Sequence, residues 1–358
     1  MKFRIGGEME LDADSLAGPE INQRVGLPKR HRMWVDTGRS ALGVALHEIL
    51  RKGGRREAWV PAYCCEAILI PFKMLGFRIH FYSMGKDLAT PDRLPRKTDG
   101  IAFLYVHYFG VKNNRLAPWL EENKFRKRFF VIEDCAQASL SGNVGETGHF
   151  AFTSYRKFLP QPDGALLVSD EAIKTKLAAP DEAFLSLKLI GKMLRARKQQ
   201  EKLYLAMFES AEKLLNVRPA LRRMSGFSAF MMQRTDFKKI AALRKRNWQM
   251  LNGLLKENGL SGRSVFPLYS RLGETEVPLG FPILMRQQAR DRLRKFLIKR
   301  QIFCPVHWPT PYLPKDRQWS VEHELSRRLL TLPIDQRLNE ASLRYMADSL
   351  RQFFKGSK

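Results

Sequence analysis

Cysteine is scarce: Cys64, Cys65, Cys135 and Cys304 form no Cys-x-x-Cys pair, and the 7 histidines show no zinc-like clustering. A disulfide framework and a structural metal are therefore not expected, and reduced thiols are. Long apolar runs are missing too. None approaches the ~20 residues needed to span a bilayer, and Met1-Lys2-Phe3-Arg4-Ile5-Gly6-Gly7 lacks the apolar block of a secretory signal. These absences predict a soluble, cytoplasmic protein. No internal repeat and no low-complexity tract interrupts the chain.

Acidic residues are also few, 36 Asp/Glu against 62 Lys/Arg, for a formal net charge of +26. The excess is uneven, since residues 186–250 carry 16 Lys/Arg and 4 Asp/Glu. Such a stretch can be a solvated helical face, or it can attract a polyanion, an anionic membrane surface or a charged substrate. It contains neither the interleaved aromatics of a single-strand binder nor a recognition-helix module, so no specific nucleic acid is expected.

A chain of 358 residues with 44% hydrophobic composition can bury two cores. The expected organisation is an N-terminal extension over 1–30, a large domain over 31–235 and a small C-terminal domain over 236–358. Short apolar runs such as Ala58-Trp59-Val60, Phe77 to Tyr82, Ile101 to Val106 and Phe129 to Ile132 read as buried strands. Helix-length stretches at 65–75 and 117–127 separate them, which predicts an α/β fold with a mainly parallel sheet between helices. His149 to Phe152 and Ala165 to Val168 lie too close together for a helix, and read as a strand pair joined by a loop. Residues 181–254 read as long basic amphipathic helices. Leu279 to Leu284 and Ile302 to Cys304 then flank a helix at 287–299, and a helix at 340–354 closes the chain.

Chemistry concentrates in the middle. Val131-Ile132-Glu133-Asp134-Cys135-Ala136-Gln137-Ala138 sets an acid at a strand end, and Ser154-Tyr155-Arg156-Lys157 sets a lysine just past the next strand. Taken singly these are a helix-cap aspartate and a loop lysine. Together they suit an aromatic aldehyde cofactor carrying a phosphate, namely pyridoxal 5'-phosphate. Lys157 would supply the amine, activated by desolvation beside cationic Arg156, and Asp134 would face the ring nitrogen. Gln137, one helical turn on, would reach the ring hydroxyl. Thr37-Gly38-Arg39-Ser40 at a predicted helix start offers amides, hydroxyls and the positive helix end to a phosphate, with Ser154 adding a hydroxyl. Tyr63, in Val60-Pro61-Ala62-Tyr63-Cys64-Cys65, is either the flat ring partner or a core residue.

In this order the residues resemble the sugar aminotransferase family of the DegT type, whose members share the aspartate-aminotransferase-like fold (pyridoxal-phosphate fold type I). Thr37-Gly38-Arg39-Ser40-Ala41-Leu42 is similar to its phosphate turn, Val60-Pro61-Ala62-Tyr63 to its ring-stacking loop, and Glu133-Asp134-Cys135-Ala136-Gln137-Ala138 to its most specific motif. The resemblance implies that Arg223, in Arg223-Met224-Ser225, reaches the cofactor phosphate of a second subunit in a homodimer. It further implies that His307, in Pro305-Val306-His307-Trp308, lines the substrate pocket. Asp163-Gly164-Ala165 replaces the usual doubled glycine, and Cys65 stands where an aromatic stacking residue is usual, which marks a divergent branch. The implied activity is amino transfer from an amino acid, glutamate, to a keto-sugar or sugar nucleotide. Two rival readings are a keto-sugar dehydratase, whose relatives tend to lose the lysine kept here, and a non-catalytic basic protein on the same scaffold.

Overall fold

The apolar runs become strands because each is short, bounded by turns and flanked by residues that can cover both faces. The computed structural model describes residues 3–12, 16, 18–21, 27–28, 31–92, 99–125, 129–217, 220–286 and 289–356. After β1 (Ile5–Gly6) and β2 (His31–Val35), helix α1 (Gly38–Arg51) leads to β3 (Glu57–Pro61). Helix α2 (Glu66–Met74) follows, then β4 (Arg78–Tyr82), β5 (Ile101–Val106), α3 (Ala117–Phe125) and β6 (Phe129–Asp134). The predicted helix at 117–127 ends outside the described residues.

Strands β7 (Phe150–Phe152) and β8 (Ala165–Ser169) are antiparallel and joined by the lysine-bearing loop, as the spacing predicts. The large sheet has seven strands in the order β2-β8-β7-β6-β5-β3-β4. Its β4, β3, β5, β6 and β7 run parallel, while β8 and β2 pair antiparallel at one edge. Every residue of β5 and β8 is buried, the signature of strands covered on both faces. Each Leu or Phe removed from water there contributes about 1.5–3 kcal/mol.

The basic stretch folds into helices α4 (Glu182–Ala196), α5 (Glu201–Val217), α6 (Gly226–Gln233) and α7 (Phe237–Glu257). Residue 235 lies in the turn between the last two. Beyond it come β9 (Val265–Pro267), β10 (Phe281–Met285), α8 (Ala289–Lys299) and β11 (Ile302–Phe303), then α9 (Ser320–Arg328), β12 (Leu329–Leu332) and α10 (Glu340–Lys355). The start of the predicted helix at 287–299 also lies outside the described residues. A three-stranded antiparallel sheet, β12-β10-β9, packs in a second core with Trp248, Leu251, Leu297, Leu343 and Met346. β11 does not join that sheet: it pairs in parallel with β1, Ile5 opposite Ile302. The N-terminal extension is thereby part of the packed structure, with Ile5, Met9 and Leu11 buried. Among the described residues, no helix is long and apolar enough to cross a membrane.

Candidate active site

Strands β5, β6 and β7 end side by side, with Val106 opposite Asp134 and Asp134 opposite Phe152. The carboxyl edge of a parallel sheet is where open α/β folds hold ligands. A cavity of about 270 Å³ opens there, lined by Asp134, Gln137, Ser154 and Lys157 from the sheet edge and by Thr37 and Gly38 from the start of α1. Those predicted site residues therefore meet in one place.

Asp134 is buried and, among the described residues, accepts a single hydrogen bond, from the Ala136 N–H at 2.8 Å. Burial pushes its carboxyl above the ordinary range, and the charge on Lys157 pulls it back. A buried carboxylate so sparsely solvated favours a cationic partner in the cavity. The residues after it form turns rather than the expected helix, because Ala136 caps back onto Asp134 and Ser139 bonds the Cys135 and Ala136 carbonyls. Gln137 nonetheless reaches the cavity. Its Oε1 accepts from the Phe109 N–H at 2.8 Å, and its buried Nε2 finds no partner among the described residues. An orphaned buried donor is costly, and a ligand acceptor would relieve it.

The loop between β7 and β8 is held by its alternation of apolar and basic residues. Tyr155, Phe158 and Leu159 are buried, Tyr155 packing 5.9 Å from Trp34 and 6.1 Å from Phe237. Between these anchors Lys157 is exposed at the cavity wall. The desolvation expected for its amine is therefore absent in the single chain. Arg156, the cation expected beside it, is paired with Glu212 at 2.5 Å. The wide turn at Gly164 (φ 120°) allows its N–H to reach the Asp36 carbonyl at 2.6 Å, tying β8 to the entry of α1.

Thr37 caps α1, its Oγ1 accepting from the Ser40 N–H at 3.2 Å. The amides of Gly38 and Arg39 make no hydrogen bond among the described residues, so they remain available at the positive end of the helix. A side chain at Gly38 would project toward Ser154, 3.6 Å from its Cβ, so the absence of one keeps this corner open. An amine, a buried carboxylate, an unpaired amide donor and a helix-start cradle with the Ser154 hydroxyl fit the ring and phosphate of pyridoxal phosphate.

Other predicted residues lie elsewhere. Ser40 is turned about 200° around the helix axis from Gly38, lines a neighbouring cavity and donates to the Ala220 carbonyl at 3.4 Å. Tyr63 is wholly buried, its hydroxyl bonded to the His307 carbonyl and its ring 5.7 Å from Trp308. Core packing has won there, and it is Cys65 and Trp308 that line the cavity. Arg223 is exposed and outside the cavity, its backbone bridging Val35. His307 lines an adjoining cavity of about 470 Å³ together with Lys157. Its Nδ1 lies 2.8 Å from the Thr331 Oγ1, and burial followed by the nearby Lys157 charge holds its imidazole down at about 3, hence neutral.

Sequence reasoning missed Glu8, Lys192 and Glu212, which also line the first cavity. Glu8 and Arg156 line the adjoining cavity as well. For Lys192 and Glu212 the uneven charge of 186–250 was the available signal, but it gave no hint of burial; Glu8 lies outside that stretch.

Comparison with known proteins bears on the family and the fold. Residues 92–351 match the model of the DegT/DnrJ/EryC1/StrS aminotransferase family. No curated protein matches by sequence. The fold is similar to Helicobacter pylori PseC, an aminotransferase involved in the biosynthesis of pseudoaminic acid, at 15% identity and TM-score 0.69, covering 99% of this chain and 100% of that one. It is also similar to the aminotransferase TlmJ from Streptoalloteichus hindustanus, at 15% identity and TM-score 0.63, covering 93% and 92% of the two chains. An aminotransferase from Psychrobacter cryohalolentis aligns at 18% identity and TM-score 0.63, over 91% and 87%.

Proposed function

The chain belongs to the DegT/DnrJ/EryC1/StrS aminotransferase family, and from that premise we propose that it moves an amino group from glutamate to a keto-sugar or sugar-nucleotide acceptor in polysaccharide or glycoconjugate biosynthesis. Membership makes it a pyridoxal-phosphate-dependent aminotransferase of fold type I. The observation that supports the site assignment is the convergence of Asp134, Gln137 and Lys157 on one cavity at the sheet edge.

When bound, the cofactor supplies an aldehyde that a primary amine can attack and a ring that accepts electron density once its nitrogen is protonated. Lys157 Nζ holds the cofactor at rest and, as a free amine afterwards, takes and returns the proton that moves during transfer. Asp134 keeps positive charge on the ring nitrogen, because a buried carboxylate with one backbone donor is stabilised by a cation. Gln137 Nε2 orients the ring hydroxyl, while Thr37, Gly38 and Ser154 hold the phosphate. His307, neutral and beside Lys157, lines the space left for the acceptor. The same reading makes the protein a cytoplasmic homodimer. Exposed Ile190 and Met193, one helical turn apart on α4, offer an apolar surface for a second copy.

The test is a visible spectrum of wild type and Lys157→Ala, before and after adding glutamate. Wild type is expected to be yellow with added cofactor and to bleach with the donor, while the variant lacks the resting absorption. A wild type that does not take up pyridoxal phosphate, or a variant that bleaches like wild type, overturns the reading.

A further inference from the structure

Helices α4 and α5 form a hairpin whose inner face is charged and buried. Lys188 on α4 is fully buried and Lys192 nearly so. Lys188 Nζ lies 2.5 Å from a Glu8 oxygen and 3.0 Å from Glu212, and Lys192 Nζ lies 3.2 Å from the other Glu8 oxygen. Glu212 on α5 also binds Arg156 at 2.5 Å and Arg39 at 3.1 Å. Arg39 and Arg156 are the sequence neighbours of the helix-start cradle and of the lysine loop. Within this set of ion pairs two carboxylates face four cations, with Asp36 also acting on Arg156, and with Lys157 on the same cavity wall.

Two buried ammonium groups in a mainly cationic cluster are unfavourable unless a further anion shares them. Burial, with Lys188 and Arg156 adding to it, pushes the Lys192 ammonium down to about 8 despite the pull of Glu8. The cluster opens onto a definite place. Arg39, Arg156, Lys192, Glu8 and Glu212 line the same cavity as Thr37, Gly38 and Ser154. A phosphate in that cradle would offset the cationic excess of the cluster.

We propose that the hairpin completes the phosphate end of the site within one protomer: Arg39, Arg156, Lys188 and Lys192 supply the countercharge for the cofactor phosphate, and Glu8 and Glu212 tune it to a dianion. The proposal rests on the cofactor assignment above. It gives the N-terminal extension a positioning role, since Glu8 reaches the cluster from a segment fixed at β1 by pairing with β11 and at Leu11 by its N–H bond to the Lys192 carbonyl, 3.4 Å.

Two variants of opposite sign test it, with dissociation constants measured by absorbance for pyridoxal phosphate and for pyridoxal, which lacks the phosphate. Lys192→Met removes a cation and is expected to weaken pyridoxal phosphate at least about tenfold while leaving pyridoxal unchanged. Glu8→Gln removes a counter-anion from a half-exposed strap and is expected to tighten pyridoxal phosphate selectively. Circular dichroism and apo-protein melting establish that each variant is folded. If Lys192→Met does not fold, Glu8→Gln decides. A ratio of the two constants that is the same in wild type and variants overturns the proposal, with wild type still binding pyridoxal phosphate. Failure of wild type to bind it overturns the cofactor assignment instead.

Discussion

Replacing Glu133 with Gln is expected to destabilise the protein by about 3 kcal/mol, although Glu133 does not line the cavity beside Asp134. Its carboxylate is almost wholly buried and is surrounded by donors: His107 Nε2 at 3.0 Å, the Gly145 N–H at 2.9 Å, the Gly148 N–H and the Tyr105 hydroxyl. Burial pushes this carboxyl up, but the His107 bond and charge with the other donors bring it from 4.5 down to about 2. A displacement of that size corresponds to about 3 kcal/mol favouring the charged form. Glutamine keeps the shape but turns an NH2 group toward N–H donors, leaving buried groups unpaired at about 1–3 kcal/mol each. With ~2.1 cal/mol/K of unfolding entropy per residue over 358 residues, the loss corresponds to about 4 °C in melting temperature. The sign with pH follows: the folded carboxyl titrates below the unfolded one, so its stabilisation is complete above about pH 4.5 and is lost as pH falls toward 2. Calorimetry of apo wild type and Glu133→Gln at pH 7 reads the difference directly. A shift under about 1 °C at pH 7 would refute the claim that this carboxylate braces the strand end carrying Asp134.

Asp134→Asn should retain bound pyridoxal phosphate yet slow the glutamate half-reaction by about 10²–10³, the cost of losing a preorganised charge at a buried site; a stopped-flow rate within threefold of wild type removes Asp134 from its proposed role. His307, held at about 3 by burial and by Lys157, takes up its proton only on unfolding as pH falls from 6.5 toward 3, so its contribution is complete above 6.5 and lost below. His307→Gln should therefore show a shallower fall in melting temperature between pH 6.5 and 4.5 than wild type, and parallel curves would exclude His307 as a source of that slope.

Local pattern was enough where the site depends on strand ends. The Asp134 and Lys157 motifs sit at β6 and after β7 because apolar triplets and their spacing dictate those strands, and the antiparallel β7–β8 pair follows from a gap too short for a helix. It failed where tertiary packing chooses between neighbours. In Ala62-Tyr63-Cys64-Cys65 nothing local says which side chain turns outward, and Tyr63 goes to the core because its hydroxyl finds the His307 carbonyl. Strands β1 and β12 are two and four residues long, too short for periodicity to register. The place of the N-terminal extension is not legible locally, since Glu8 becomes structural only through lysines 180 or more positions away. The basic stretch is solvated along much of its length, but Lys188, Lys192, Arg195 and Arg244 are buried, each against acceptors supplied from distant segments.

The buried Arg244 links the loop that carries Lys157 to the second core. Arg244 on α7 stacks 4.7 Å from the Phe158 ring and donates to Gln336 Oε1 at 3.0 Å, while Gln336 Nε2 donates to the Phe158 carbonyl at 2.8 Å. Phe158 directly follows Lys157, so the backbone that carries the amine is gripped from the side of the three-stranded sheet as well as by β7 and β8. Glu8 grips the same cavity through the hairpin, and the extension is held in turn by Arg337 through the Gly7 and Glu8 carbonyls and the Glu10 carboxylate. The Lys157 amine is thus positioned by segments distant in sequence on either side of it. Mutations there should loosen the geometry of Lys157 before they lower global stability, because each removes one of several restraints on a loop that is otherwise exposed.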